Sequence, residues 1–482
     1  MDKKQRYWVA SKSSKVAPKS GSNEGQSAKP RKSVAIKQKW NGFVNHPLSM
    51  AYSMCFASRT PGRRIIWALF LLLGMGWFSF QSFKLLTKYF SYPVTTKVTL
   101  VYEDAPDFPA VSICNFNMFR RSVVNANGYG QLLKYVLRRS HGFDTSNDTV
   151  DTSKFDSFNM TELYLTMGHQ IKDTLQGCTF NGEPCSYMNF TAVLTSMGLC
   201  HTFNAGKGGQ QILKVKQAGT DFGLHLILDV QQYDYVALGY RAGLKILIHH
   251  PETPPVVSQL GFAVGPGTST YSAIHKQRVI NLPKPYESNC LDNNDSNMPG
   301  YTKYTTIACM LTCQTKYVVQ KCGCREVGMP DINNSRVCRP LELLDCVGKE
   351  KGNFQKLKDQ HCDCPVPCDT ISFKPVLSYA AFPSNDYVSR MNELNAGDRD
   401  FNVSSDYLKG IHDYLSQNLL ELTVYFQELN YHVIEQKPAY DSESLLAEIG
   451  GQVGLCVGAS LLTVLEFCDV LLAVIGIRLG FQ

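Results

Sequence analysis

The residues with the most chemical consequence lie in the last apolar run, 445–477. Glu448, Glu466 and Asp469 sit on or within it, although its central 17 positions, 449–465, carry no charge. A carboxylate at the centre of a bilayer-spanning helix costs about 2.5–3.5 kcal/mol on insertion scales. Glu466 and Asp469 are three apart, so a helix turns both to one face. The least costly surroundings for that face are a water-filled path. Gly450, Gly451 and Gly454, then Gly458, Ala459 and Ser460, break up the same run. Small residues let helices approach closely, or let backbone carbonyls face a lumen. Small residues followed by carboxylates within a membrane span predict a cation pathway. The structural alternative is a tightly packed membrane helix whose acids pair with basic partners.

Cysteine is the second chemically loaded residue. Of 17 in the chain, Cys55 lies near the N-terminus and Cys456 and Cys468 in the last apolar run. The other 14 fall between residues 114 and 368. Ten of these crowd into 290–368: Cys290, Cys309, Cys313, Cys322, Cys324, Cys338, Cys346, Cys362, Cys364 and Cys368. Cys309 and Cys313 are four apart, so a helix presents both on one face. Dense cysteines ligate zinc or form disulfides. The even count favours disulfides, as do the Asn-x-Ser/Thr sequons at Asn147, Asn159, Asn189, Asn294, Asn333 and Asn402, because both imply an oxidising, glycosylating compartment. No metal is expected, and spacing alone does not fix the pairing.

These groups need a membrane frame. Residues 65–83 form a 19-residue stretch without charge, too long and too far into the chain for a cleaved signal peptide. Residues 1–64 hold 14 Lys/Arg against only Asp2 and Glu24, and Arg59, Arg63 and Arg64 directly precede the apolar stretch. The positive-inside rule explains that charge more simply than nucleic-acid binding does. The expected organisation is a cytosolic segment at 1–64 and a first span at 65–90. An extracellular region at 91–444, a second span at 445–477 and a short cytosolic tail at 478–482 follow. Both termini then lie in the cytosol of a plasma-membrane protein.

Between the spans, residues 95–102, 224–230, 244–249 and 422–426 have strand character. Residues 131–139 (QLLKYVLRR) have helical spacing. The region is therefore expected to be α+β. The chain has neither a H-E-x-x-H metal motif nor a G-x-S-x-G elbow, which argues against an enzyme, and no cofactor is expected.

FPAVSICN after the first span, the cysteine-rich block, and GGQVGLCVGASLLTVLE in the second span resemble the degenerin/epithelial sodium channel family. The likeness runs over residues 40–473 and is nearest to the acid-sensing and peptide-gated branches. FNAGKGG, QLGFAVGPG and ELNYHVIEQKPAY add to it. The resemblance implies a membrane protein with two transmembrane helices, a large disulfide-rich, hand-like α+β ectodomain, and a trimeric channel, homomeric or mixed with related subunits. Gly458, Ala459 and Ser460 match the selectivity belt, where carbonyls replace part of the sodium ion's water shell. Glu466 and Asp469 match the acidic positions below it. Ala447 matches a position sensitive to side-chain size. Tyr92 and Tyr286 match the aromatic contact that couples the thumb-like block, 290–368, to the first span. Leu429 and Asn430 match the linker that rearranges in desensitisation. The implied bridges are Cys114 with Cys200, Cys178 with Cys185, Cys290 with Cys368 and Cys309 with Cys364. Cys313 with Cys362, Cys322 with Cys346 and Cys324 with Cys338 complete the set.

Two departures matter. The family's cytosolic His-Gly is His46-Pro47 here, and proline lacks an N–H donor, so a gating role for His46 loses part of its basis. The segments matching the family's carboxylate-rich pocket, 231–243 and 347–359, are poor in acids. The expectation is a ligand-gated, sodium-selective, amiloride-sensitive channel bound to membrane lipid, with a peptide, another ligand or protons as stimulus. The alternative is a two-pass lipid scavenger-type receptor without conduction, whose spans need no carboxylates.

Overall fold

The computed structural model describes residues 36–37, 60–140, 159–206, 210–236, 240–292, 298–301, 303–388, 390, 405–457 and 461–479. His46, Asn147, Asn294, Asn402, Gly458, Ala459 and Ser460 lie outside them.

The chain begins with helix α1, Pro61–Phe90. Strands β1, Val94–Tyr102, and β2, Ala110–Asn115, follow, then short helices α2, Arg121–Ala126, α3, Gly130–Ser140, and α4, Met160–Met167. Seven strands come next: β3, Leu175–Phe180; β4, Glu183–Pro184; β5, Phe190–Thr195; β6, Gly198–Phe203; β7, Leu224–Asp229; β8, Leu244–His249; and β9, Phe262–Val264. The long β10, Thr268–Ile280, precedes helices α5, Thr306–Cys322, and α6, Gly348–His361. Then come β11, Asp369–Ala381; α7, Ser405–Asn418; β12, Leu419–Phe426; β13, Asn430–Pro438; and helices α8, Ser442–Val457, and α9, Leu461–Leu479.

Two compact units result: residues 1–91 with 440–482, and Tyr92–Ala439. In the first, α1 is, among the described residues, the one helix long and apolar enough to cross a membrane. Pro61 starts it, because its missing N–H is one the first turn leaves unpaired anyway. A Cβ on Gly74 would lie 2.5 Å from the carbonyl oxygen of Cys456, so glycine there lets α1 meet α8 backbone to backbone.

The second unit is α+β, as expected. An eight-stranded sheet runs β1-β13-β10-β12-β7-β3-β4, with β11 also on β10, and a five-stranded sheet runs β5-β6-β2-β8-β9. Strand β10 carries the larger sheet. It pairs antiparallel with β11 over its whole length, and parallel with β12 (269–274) and then β13 (277–280) on its other edge. Alternation fixes which face is buried. Leu420, Leu422, Val424 and Phe426 of β12, and Leu224, Leu226 and Leu228 of β7, all point into one core. Phe108, fully buried at the head of FPAVSICN, sets its ring edge-on to Phe180 at 5.1 Å and Phe426 at 6.0 Å.

The cysteine-rich block is cross-linked. Thr305 caps α5 through Ala308 N–H at 3.1 Å, and Gly323 ends it with φ 70°. Cys309 and Cys313 reach Cys364 and Cys362 from one helix face. Cys322–Cys346, Cys324–Cys338 and Cys290–Cys368 close the rest. Cys114–Cys200 joins β2 to β6, and Cys178–Cys185 joins β3 to β4. These are, pair for pair, the bridges the resemblance implies. Cys324, Cys338 and Glu342 cluster as metal ligands do, but the two sulfurs are bonded to each other, so the zinc alternative fails there.

Leu226 is 0% exposed in this core, so Leu226→Ala should lower stability by about 2–5 kcal/mol. Thermal unfolding of the full-length protein in detergent checks this, with the exposed Gln217→Ala expected within about 0.5 kcal/mol of the native chain.

Candidate functional site

In the first unit, helices α8 and α9 bracket residues 458–460. Ala447, Gly451 and Gly454 follow one another at helical spacing on α8, and all three are exposed within this chain, as is Glu448. Asp469 is exposed on α9, and Glu466 lies one turn before it. At the other end of the unit, Tyr440 is buried. Its ring meets Tyr89 edge-on at 6.5 Å and lies 4.3 Å beneath the Lys88 ammonium. Nothing in the residue spacing marks this cation–π contact, whose partners are about 350 positions apart in sequence.

In the second unit, the structure brings Tyr92 and Tyr286 together edge-on, with centroids 5.6 Å apart. Tyr92 adopts φ 47°, a left-handed conformation unusual for a bulky residue, at the start of the unit. Leu429 packs partly buried against the main core, and Asn430 opens β13. Residues 427–429, which end at Leu429 just before Asn430, are a break in the edge that β12 and β13 together present to β10. Asn159 accepts from Thr161 and Glu162 N–H as the cap of α4, Asn189 accepts from Ser186 N–H at 2.9 Å, and Asn333 sits at φ 54°.

Among the described residues, the face between α2–α3 and the cysteine-rich block carries charge, but not as paired carboxylates. Arg139 of α3 bonds Asp345 of the block at 2.8 Å, and Arg121 donates to the carbonyl of Tyr233 at 2.7 Å. Asp234, the one acid of segment 231–243, accepts from Ser122 N–H at 2.7 Å and Ser122 Oγ at 2.6 Å. It thereby caps the start of α2. In segment 347–359, Glu350 accepts from Tyr317 at 3.1 Å. No signal in the sequence couples Arg139 to Asp345, which are 206 residues apart.

Histidines supply a second electrostatic layer that no sequence motif marks. His225 on β7 bonds Glu421 on β12 at 2.6 Å, and Ser269 on β10 donates to the same carboxylate. The His225 bond and the Ser269 hydroxyl hold that carboxyl below its usual range against the opposing effect of partial burial. His169 is bonded by Gln231 at 2.8 Å and Asn117 at 3.3 Å, and burial pushes its imidazole down. Burial pushes His201 down to about 4.

The family model "Amiloride-sensitive sodium channel" matches residues 50–470. The chain is 34% identical over 470 residues to acid-sensing ion channel 1 of Gallus gallus, covering 92% of this chain and 85% of that one. It is 33% identical over 429 residues to acid-sensing ion channel 2 of Homo sapiens, covering 84% and 80%. Among solved structures, a proton-activated chloride channel aligns at a TM-score of 0.31 and 6% identity over 87% of this chain and 98% of that one, too slight a likeness to bear on the fold.

Two outcomes follow from this geometry. His201 prefers to be neutral when folded, so its stabilising share is whole above pH ~6.5, its unfolded value, and is lost as pH falls toward about 4. That share is about 3 kcal/mol, and thermal unfolding of the full-length His201→Gln protein should be correspondingly less acid-sensitive over that window. Tyr286→Ala should remove about 0.5–1.5 kcal/mol of aromatic contact and change the time course of any current, whereas Tyr286→Phe should preserve both.

Proposed function

The chain belongs to the amiloride-sensitive sodium channel family, and from this we propose that it is a ligand-gated, sodium-selective channel of the plasma membrane. Membership makes it a cation channel rather than an enzyme, and leaves the scavenger-type receptor without support. The proposed assembly is a trimer whose path is lined by α8 and α9. Gly458, Ala459 and Ser460 form its belt, and three copies each of Glu466 and Asp469 concentrate cations below it. The exposed Ala447–Gly451–Gly454 face of α8 suits a lumen or a close helix contact. Seven disulfides and the sequons support an extracellular Tyr92–Ala439 unit with both termini cytosolic.

One observation carries the choice of stimulus. Among the described residues, the acids between α2–α3 and the cysteine-rich block already hold donors: Asp345 has Arg139 and Asp234 has Ser122. Carboxylates forced together relax on protonation, whereas an acid paired with a guanidinium has no repulsion to relieve. The proposed stimulus is therefore an extracellular ligand, a peptide or another small molecule, rather than protons acting on that face. A proton stimulus is the second reading, favoured by the names of the relatives and by the buried His169 and His201, which charge only in acid.

Whole-cell recording tests this. Replacing sodium by a large organic cation should abolish inward current, and amiloride should block it. A step from about pH 7 to about pH 5 should evoke far less current than neuropeptide or small-amine application. Glu466→Gln and Asp469→Asn should lower unitary conductance, most strongly at low ionic strength. Gly458→Trp should end permeation without loss of surface protein.

A further inference from the structure

A cavity of ≈ 830 Å³ lies inside the second unit, between the five-stranded sheet and the cysteine-rich block. A second of ≈ 510 Å³ shares its wall at His249, Glu252, Thr253 and Pro254. Both fall in the size range of small-molecule sites, about 300–1,000 Å³. None of these residues belongs to the pathway or to the gating contacts above.

The cleft has defined edges. A Cβ on Gly328 would lie 2.6 Å from the backbone carbon of Thr195, so a glycine lets the block touch the β5–β6 turn there. The Glu252 carboxylate, on the loop after β8, bonds the Lys303 ammonium at the root of the block at 2.6 Å. That ion pair ties the two walls together. Across the cavity, Glu326 bonds Lys351 of α6 at 2.7 Å. The larger cavity is thus lined by two carboxylates, each held by one lysine: Glu252 by Lys303 and Glu326 by Lys351. His249 adds no charge partner for a ligand: Ser112 at 2.8 Å and the His250 carbonyl at 2.9 Å occupy its ring nitrogens. Burial also holds His250 neutral, which leaves Lys303 as the one cation serving Glu252. The Tyr301 phenol, pushed up to about 12 by burial, stays neutral and offers an aromatic face. Val256, Leu311, Val327 and Met329 make the apolar part of the lining.

We propose that this cleft binds an amphipathic organic monocation, an alkylammonium or guanidinium with a compact apolar body, whose charged head takes the place of Lys303 on Glu252. The Glu252 carboxylate, which needs a cation once Lys303 leaves it, sets the sign of the ligand. The apolar wall sets its body, and Tyr301 receives the cation or a ring. Exchange at Glu252 is inexpensive because the Lys303 side chain is 44% exposed and returns to water. The carboxylate keeps a cationic partner, but the tie between sheet and block is now made by the ligand. Any effect on opening rests on the ligand-gated reading; the binding itself does not.

The test uses the purified full-length channel in detergent, with phenethylamine and benzylguanidine as probes and 2-phenylethanol as the uncharged control. Binding is read as ligand-induced thermal stabilisation. Both cations should stabilise the native channel and the alcohol should not. Glu252→Gln should weaken apparent affinity about tenfold or more, and Lys303→Met, which removes the competing ammonium, should strengthen it about tenfold. Equal stabilisation by the alcohol, unchanged affinity in Glu252→Gln, or no stabilisation of Lys303→Met overturns the site. Currents are recorded separately. Stabilisation without current upholds the site and removes it as the trigger, whereas amine-evoked current that persists in Glu252→Gln upholds ligand gating and overturns this site.

Discussion

The second unit depends on one strand being satisfied along both edges. Strand β10 runs for 13 residues and leaves few backbone groups for water. Its antiparallel partner β11 comes directly from the cysteine-rich block, after Cys368. Its parallel partners β12 and β13 lead on to α8. A polar backbone group buried without a partner costs about as much as a lost hydrogen bond, so these ladders cannot slip independently. The 427–429 break is the one place on that edge where the chain leaves the ladder, although Gln427 N–H still bonds the Ile274 carbonyl. A rearrangement confined to 427–429 leaves both flanking ladders whole, because Asn430 is already paired with Tyr102 of β1.

Stiffness on the other side of β10 has a covalent origin. Five bridges lie within residues 290–368, two of them from consecutive turns of α5. The hydrophobic cluster they enclose is small, with Val318, Met329 and Val347 among its members. A core that size does not hold two helices and several loops by burial alone, so cross-links that restrict the unfolded chain supply the remainder. The block then moves as one body. Its contacts with the five-stranded sheet, through Gly328 and through Glu252–Lys303, become the places where its position is set.

How far the sequence revealed this depended on the range of the interaction. The β-branched run at 95–102 became β1 with one residue added, and the helical spacing at 131–139 became α3, because both patterns are local. The strand at 422–426 began three residues earlier, since Leu419 and Leu420 continue its pairing with β7. The cysteine pairs came from the family likeness, not from spacing, and the structure closes the same pairs. Nothing local marks β10 as the centre of the sheet, because its partners lie about a hundred residues or more away. The same holds for His225 with Glu421 and for Glu252 with Lys303, whose side chains meet only after the strands and the block are in place. The proposed pathway was read from charge and small residues alone, since a membrane penalises any carboxylate that does not face water.

Electrostatics then narrows what a stimulus has to do. Where like charges are held together, a proton does work by removing one of them. Here the contact between α3 and the block is an attraction, Arg139 with Asp345, and the eight-stranded sheet adds a second in His225 with Glu421. Both pairs are at least partly exposed, so each contributes only about 0–1 kcal/mol and neither locks a state. A ligand shifts such an equilibrium only by the difference in its affinity for the two arrangements. One source of such a difference is contact with two bodies at once. A cleft whose walls come from the rigid block and the five-stranded sheet, closed by a single exchangeable ion pair, meets that condition.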